Sequence, residues 1–116
     1  MAKLVSLPTG LEVALTPKEE IFGLKKSFTI PWMQIVTIAE VTDLWVHIRG
    51  IRAPGTGFPG VIMLGTTRYQ GKKDFNAVYG HKPGFVISLN GGLYARVLAT
   101  NTQNQPKPQA PISNPI

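Results

Sequence analysis

The sequence predicts a mainly β fold, a small β-sandwich or partly open barrel of about seven antiparallel strands with one short helix. In several short segments apolar residues recur at every second position, and these segments are rich in β-branched side chains. Ten prolines and twelve glycines supply the turns that such strands need. Hydrophobic residues form 43% and charged residues 16% of the 116 residues, which indicates one folded domain.

The chain first predicts a strand and then a helix. Apolar residues at alternate positions of 11–15 favour a strand with one buried face. The following Thr16-Pro17-Lys18-Glu19 has the pattern of a capping box with proline at the first helical position. We therefore expect a helix near residues 17–22, ended by Gly23.

Three further strands are predicted before the middle of the chain. Residues 28–30 alternate before a proline, and residues 35–41 are rich in valine and isoleucine, which fit a pleated surface better than a helix. Residues 44–48 alternate apolar and polar side chains, so we expect a strand that ends at Gly50.

The second half predicts four consecutive antiparallel strands. Apolar alternation marks segments 61–69, 75–79, 85–89 and 93–97. Asn90-Gly91-Gly92 is the strongest hairpin signal of the chain, because these residues tolerate the positive φ of a tight turn. We expect a meander in which each strand pairs with the next.

The sequence divides into one domain, residues 1–100, and a proline-rich tail, residues 101–116. The tail combines four prolines with polar residues and is expected to be extended or disordered and to bury almost nothing. Pro108-Gln109-Ala110-Pro111 has the spacing of a P-x-x-P ligand, a spacing that also arises by chance.

The central segment has an ambiguous pattern. Gly55-Thr56-Gly57-Phe58-Pro59-Gly60 matches the G-x-G-x-x-G of dinucleotide-binding loops, but that fingerprint requires a helix after the last glycine. The residues that follow are β-prone, so we interpret the segment as a connector between two sheets rather than a phosphate cradle. The residues assigned to this structural loop are Arg52, Pro54, Gly55, Gly57, Phe58, Pro59 and Gly60.

Basic residues are concentrated in the second half. The chain has a net charge of +6, and residues 61–98 hold five basic residues against Asp74 alone. Such an excess suits an anionic partner, and it also suits a solvated surface that keeps a small protein in solution. The candidate anionic-ligand surface consists of Arg68, Lys72, Lys73, Lys82 and Arg96.

No group of residues predicts catalysis, a metal site or a cofactor. Cysteine is absent, and two histidines, His47 and His81, are too few for a zinc site without scattered carboxylates. A triad of Ser88, His81 and Asp74 lacks a nucleophile elbow around the serine.

Aromatic residues raise the question of base stacking. Tyr69 and Tyr79 are in phase with apolar neighbours and are predicted to pack in the core. Tyr94 and Arg96 share the other face, where pairing with Ser88 and Val86 would make a small exposed platform. We do not expect a nucleic-acid partner from this arrangement. No apolar run reaches the length of a transmembrane span, and the expected location is the cytoplasm.

Several segments together resemble the uncharacterised bacterial domains of pleckstrin-homology-like (PH-like) type. The resemblance is carried by Ile30-Pro31, residues 35–41, residues 49–60, Gly65-Thr66, Lys73-Asp74-Phe75 and residues 86–89. It implies a β-sandwich of about seven strands, usually closed at one end by a C-terminal helix. The proline-rich tail cannot form that helix, so the end is expected to be open or covered by another subunit.

The leading functional hypothesis is a non-catalytic PH-like binding or scaffolding module, whose partner is another protein or a second copy of the chain. The alternative is a peripheral membrane or anionic-ligand binder that uses the basic second half. A small enzyme is the lowest-ranked hypothesis. The resemblance implies no catalytic or binding residues.

Overall fold

The computed structural model describes residues 2–23, 25–58, 60–101 and 105–108, without the side chains of 23, 51–56 and 58. Nine strands, one α-helix and two 3₁₀ turns, Trp32–Gln34 and Trp45–His47, form the described chain. The strands are β1 Lys3–Ser6, β2 Gly10–Ala14, β3 Phe28–Pro31, β4 Ile35–Val41, β5 Ile51–Phe58, β6 Ile62–Tyr69, β7 Lys72–Val78, β8 Gly84–Leu89 and β9 Arg96–Thr100, and the helix α1 is Pro17–Gly23.

The strands form two sheets that do not close into a barrel. The smaller sheet is antiparallel, with the order β1-β2-β3, and pairs Leu4 with Val13 and Leu11 with Ile30. The larger sheet has the order β4-β8-β9-β7-β6-β5. The prediction of a mainly β fold of the small sandwich type with one helix is confirmed, although the strands number nine in the described residues rather than about seven.

The predicted four-strand meander is wrong. Strand β9 lies between β7 and β8, antiparallel to β8 but parallel to β7, with Phe75 opposite Val97. After β7 the chain skips the neighbouring position in the sheet and forms β8 one position further along. Residues 90–95 then lead back, and β9 fills the position between β7 and β8. Local turn chemistry predicts where a chain turns, but it does not determine which strand becomes the neighbour.

The main core lies between the two sheets. On β7, Phe75 and Ala77 face this core, whereas Asp74, Asn76 and Val78 face the opposite side of the sheet. Members of the core from both sheets are fully or nearly fully buried, among them Leu11, Val13, Ile30, Leu64, Phe85, Ile87, Val97 and Ala99. Both faces of β7 are therefore covered.

The segment 42–50 covers the outer face of the larger sheet. Leu44 is fully buried there against Val78, Val86 and Leu98. The strand predicted over residues 44–48 is wrong, because Trp45–His47 form a 3₁₀ turn in which the Ile48 N–H donates to the Trp45 carbonyl at 3.1 Å. The apolar alternation here coincides with a turn that is preceded by a buried residue, Leu44, and exposes its middle residue, Val46.

The predicted capping box is confirmed. The Thr16 N–H donates to Glu19 Oε1 at 2.8 Å, and the Glu19 N–H donates to Thr16 Oγ1 at 3.2 Å. Glu19 is buried and also accepts a hydrogen bond from the Tyr79 hydroxyl, which ties helix α1 to the larger sheet. Burial foremost, and then this hydrogen bond, raise the pKa of the Tyr79 phenol above its ordinary value.

The central segment is a hairpin rather than a connector between sheets. The loop prediction is wrong for residues 51–58, which form strand β5 and pair antiparallel with β6, with a register shift between Arg52 and Gly55. Gly60, with φ of 74°, lies in the turn, and a strand follows it as the sequence predicts. The side chains of Arg52, Pro54 and Phe58 and the residue Pro59 lie outside the described part.

The aromatic residues lie differently from their predicted places. Tyr69 is 37% exposed instead of buried, and the Arg49 guanidinium lies 4.9 Å from the centre of its ring. Tyr94 is buried and packs 5.8 Å from Phe75, centre to centre, rather than forming an exposed platform with Arg96. Tyr79 is half-buried as the pattern indicates.

Part of the tail packs against the domain. Gln105 bonds to Leu4, and Pro108 is buried, so the expectation that the tail buries almost nothing is wrong at this point. Residues 102–104 and 109–116, including most of the P-x-x-P spacing, lie outside the described part. No described helix is long and apolar enough to cross a membrane.

Candidate functional site

The structure brings together three of the five predicted basic residues. Lys72 and Lys73 begin strand β7, and Arg68 lies directly opposite Lys73 on the neighbouring strand β6. Arg68 and Lys72 are exposed, and Lys73 is half-buried on the face that also carries Phe75. The hairpin that joins β6 to β7 therefore carries a compact basic group at one end of the larger sheet.

The other two predicted residues lie elsewhere. Lys82 follows the far end of β7, and a seven-residue strand separates it from Lys72 by about 20 Å or more. Arg96 begins β9 on the outer face of the sheet, where its side chain is 17% exposed and paired. The prediction that these five residues form one basic surface is therefore wrong for Lys82 and Arg96.

Arg96 belongs to a buried ionic cluster that the sequence did not indicate. Asp74 is 1% exposed and accepts hydrogen bonds from Arg49 Nε at 2.8 Å and Arg96 Nε at 3.1 Å. The Arg96 Nη2 group also donates to the His47 carbonyl at 2.6 Å. Since Arg49 and His47 both belong to the segment 42–50, this cluster holds that segment against the sheet.

The residues of the hypothetical triad do not meet. His81 Nδ1 lies 2.8 Å from Asp43 Oδ2, whereas Asp74 is engaged by the two arginines on another part of the sheet. The described residues contain no group of three or more histidine and carboxylate side chains placed to hold a metal ion. Among the described residues, the remaining candidate for a functional site is therefore the place where basic side chains lie together.

Lys72 and Lys73 border a surface cleft of about 440 Å³. One wall is the start of β7, residues 71–73, and the other is the connection between β8 and β9, residues 89–95. A volume of this size lies in the range of small-ligand sites. The cleft could therefore hold a group as large as a phosphorylated sugar or a lipid headgroup.

Backbone hydrogen bonds fix the second wall. The Ala95 N–H donates to the Lys73 carbonyl at 2.7 Å, and the Leu89 N–H donates to the Ala95 carbonyl at 2.8 Å. The Asn90 N–H donates to the Gln34 carbonyl at 2.7 Å. The tight hairpin predicted at Asn90-Gly91-Gly92 is therefore a six-residue connection, anchored at both ends.

The middle of this connection is rich in free donors. Gly91 and Gly92 have φ values of 95° and 82°, which a residue with a side chain rarely adopts. None of the described hydrogen bonds uses the N–H groups of Gly91, Gly92 or Leu93. Exposed backbone N–H groups next to ammonium groups are the donors that phosphate and carboxylate oxygens accept in proteins.

The electrostatic balance of the cleft is positive. No Asp or Glu is among its described lining residues, and Asp74 lies on the face of β7 opposite that of Lys73. Tyr94 lines the cleft from the core side, and the Lys25 ammonium lies 5.3 Å from the centre of its ring. Neither Lys72 nor Lys73 forms an ion pair with a described residue, so their charge is available to a ligand.

The sequence indicated part of this site. Lys72 and Lys73 were predicted from the charge excess, and Asn90-Gly91-Gly92 from its turn chemistry, but as separate features. Their proximity depends on the place of β9 beside β7, which the sequence pattern did not reveal. Comparison with known protein families, with characterised proteins and with solved structures finds no significant match.

Proposed function

We propose that this chain is a non-catalytic binding module whose ligand is an anionic group held in the cleft between residues 71–73 and 89–95. The observation that carries this proposal is that Lys72, Lys73 and residues 91–93, whose N–H groups none of the described hydrogen bonds uses, all line one cleft, and that its described lining includes no carboxylate. Two point charges beside several fixed donors suit a phosphate or a similar oxyanion.

The cleft is built for binding rather than for turnover. The titratable side chains among its described lining residues are Lys72, Lys73 and Tyr94, a set that includes no carboxylate or imidazole to act as a general base near neutral pH. Arg68, opposite Lys73 in the sheet, extends the positive surface beyond the cleft. A large anionic ligand or an anionic membrane surface would contact both Arg68 and the lysines of the cleft.

Membership of the PH-like group remains part of the proposal. The two-sheet architecture with one short helix supports it. The parallel pair of β7 and β9 departs from the antiparallel strands that the sequence predicts. The proposed anion site depends on that departure, because β9 brings the 90–95 connection beside Lys73.

The experiment compares a soluble polyanion with a membrane. Calorimetry would measure the affinity for inositol hexakisphosphate, and co-sedimentation would measure binding to vesicles with and without phosphatidylserine. In the variant Lys72→Glu/Lys73→Glu we expect the affinity to fall by about 30-fold or more, since two lysines contribute about 2 kcal/mol. Binding of the parent chain should also weaken as salt is raised.

A matched control variant distinguishes binding at the cleft from a general effect of the net charge. Lys18→Glu/Lys82→Glu changes the charge equally at two exposed positions that do not line the cleft. Equal losses in the two double variants would mean a diffuse charge effect and would overturn the proposed site. Binding to the soluble polyanion but not to vesicles would assign a free ligand, and binding to both would assign a membrane headgroup.

A further inference from the structure

The proline-rich tail returns to the domain over residues 105–108. The Asn101 side chain bonds twice to the Gln105 backbone, which turns the chain back: its Nδ2 group donates to the Gln105 carbonyl, and its Oδ1 accepts from the Gln105 N–H, both at 2.9 Å. Gln105 Nε2 then donates to the Leu4 carbonyl at 3.3 Å. Pro108 is buried, whereas Pro106 and Lys107 are exposed. One proline thus anchors the segment.

Gln105–Pro108 lies in a gap between the edges of the two sheets, which we call the tail seat. One side of the seat is β1, the edge of the smaller sheet, represented by Ser6. The other side is β4, the edge of the larger sheet, with Ile35, Val36 and Ile38. Both edges are places where a sheet can accept a further extended segment.

An aromatic residue forms the base of the tail seat. Trp32 lines the seat beside Pro108, and its Nε1–H donates to the Leu7 carbonyl at 2.7 Å, which fixes the ring. Trp32, Ile35 and Ile38 also pack against the main core, so this wall is rigid. Fixed aromatic and aliphatic walls are the surface that extended proline-containing segments bind.

The tail fills this seat loosely. Clefts of about 270 Å³ and 450 Å³ remain beside it, one toward β4 and the other toward β1. Gln105–Pro108 makes one described hydrogen bond to the strands, and its two prolines have no N–H to donate. A segment that leaves room on both sides and is held by few bonds can be displaced.

We propose that the tail seat is a binding site for extended proline-containing peptides, and that Gln105–Pro108 is its displaceable intramolecular occupant. The ligand class is the one the chain itself supplies, a segment whose buried proline lines the same cleft as Trp32, Ile35 and Ile38. The tail thereby sets the affinity for an outside peptide, because a partner must compete with a segment already tethered to the site. This proposal is independent of the anion cleft.

The test uses the full chain and a fluorescent peptide with the sequence of residues 101–112. Pro108→Glu places a charge at the buried anchor and should release the tail, while Pro106→Glu makes the same change at an exposed position. Anisotropy should show peptide binding to Pro108→Glu about tenfold tighter than to the parent or to Pro106→Glu, as for a tail seated nine-tenths of the time. Asn101→Ala, which breaks the turn back, should act in the same direction.

A second substitution locates the binding. Val36 lines the seat and is 61% exposed, so Val36→Glu should leave the fold intact. Added to Pro108→Glu, it should abolish peptide binding. The proposal is overturned if the folded Pro108→Glu and Asn101→Ala variants bind no more peptide than the parent, or if Val36→Glu leaves that binding unchanged.

Discussion

Replacement of Asp74 by asparagine is expected to destabilise the protein strongly. The carboxylate lies at the centre of a cluster in which Arg49 and Arg96 both reach it, at distances between 2.8 and 3.2 Å. Asparagine keeps the shape but offers one oxygen acceptor and turns an N–H₂ group toward guanidinium donors. The change thus removes the negative charge while both positive charges stay in place.

The expected loss is about 3 kcal/mol. Breaking a fully buried ion pair from one side costs about 3–5 kcal/mol. The arginine side chains keep 31% and 17% exposure, so water can solvate them in part, which argues for the lower end of that range. Against a total stability of about 5–15 kcal/mol for a domain of this size, this is a large fraction.

Urea unfolding followed by tryptophan fluorescence measures the effect. Trp45 lies in the segment that the cluster holds, so amide exchange over residues 42–50 should also become faster in the variant. Glu40→Gln, which neutralises an exposed carboxylate on an edge strand, is the control and should change stability by less than about 0.5 kcal/mol. A loss at Asp74 no greater than that of the control would refute the assigned role of the cluster.

Three further changes test the described contacts. Thr16→Ala should cost about 1 kcal/mol in urea unfolding through loss of the helix cap, and no loss relative to Thr9→Ala would contradict the capping box. Gly60→Ala should cost about 1 kcal/mol because its φ of 74° strains any residue with a side chain, and a neutral effect would place the turn elsewhere. Tyr79→Phe should cost about 1 kcal/mol near neutral pH, since Glu19 loses a donor. The raised pKa of Tyr79 stabilises the folded chain below the pKa of about 10 of an unfolded tyrosine, and this contribution is lost as pH rises above it, so the gap between parent and Tyr79→Phe should narrow in unfolding curves above pH 10. A gap that widened there would contradict the assigned hydrogen bond.

Local patterns gave the elements that local chemistry determines. The capping box placed helix α1 because its two hydrogen bonds join residues three apart. Strand β4 was predicted because valine and isoleucine fit a pleated surface, and β8 because its apolar residues alternate along the chain. These features need no information about distant parts of the chain.

The elements that the sequence prediction assigned wrongly depend on contacts between residues that are far apart in the chain. Strand β5 contains a proline and two glycines, which are rare within strands, and it forms through pairing with β6 at the sheet edge. Residues 44–48 form a turn because the outer face of the sheet buries Leu44. The place of β9 follows from the order in which strands fill the sheet, and short periodic patterns do not contain that order.

Only part of the candidate site could be predicted from the sequence, because the rest also depends on contacts between residues far apart in the chain. A run of lysines is visible in the sequence, but the pairing of Arg96 with Asp74 removes one predicted member, and the length of β7 removes Lys82. The donors at residues 91–93 join the site through a parallel strand pair formed between residues more than twenty positions apart. Charge counting finds candidates, and topology selects among them.

The most direct measurement of the central claim is an NMR titration of the ¹⁵N-labelled full chain with inositol hexakisphosphate. We predict that the largest shifts occur at the amides of Lys73, Gly91, Gly92 and Leu93, with little change around Lys82. Shifts centred on Lys82, or spread evenly over the exposed lysines, would show that the cleft between residues 71–73 and 89–95 is not the anion site.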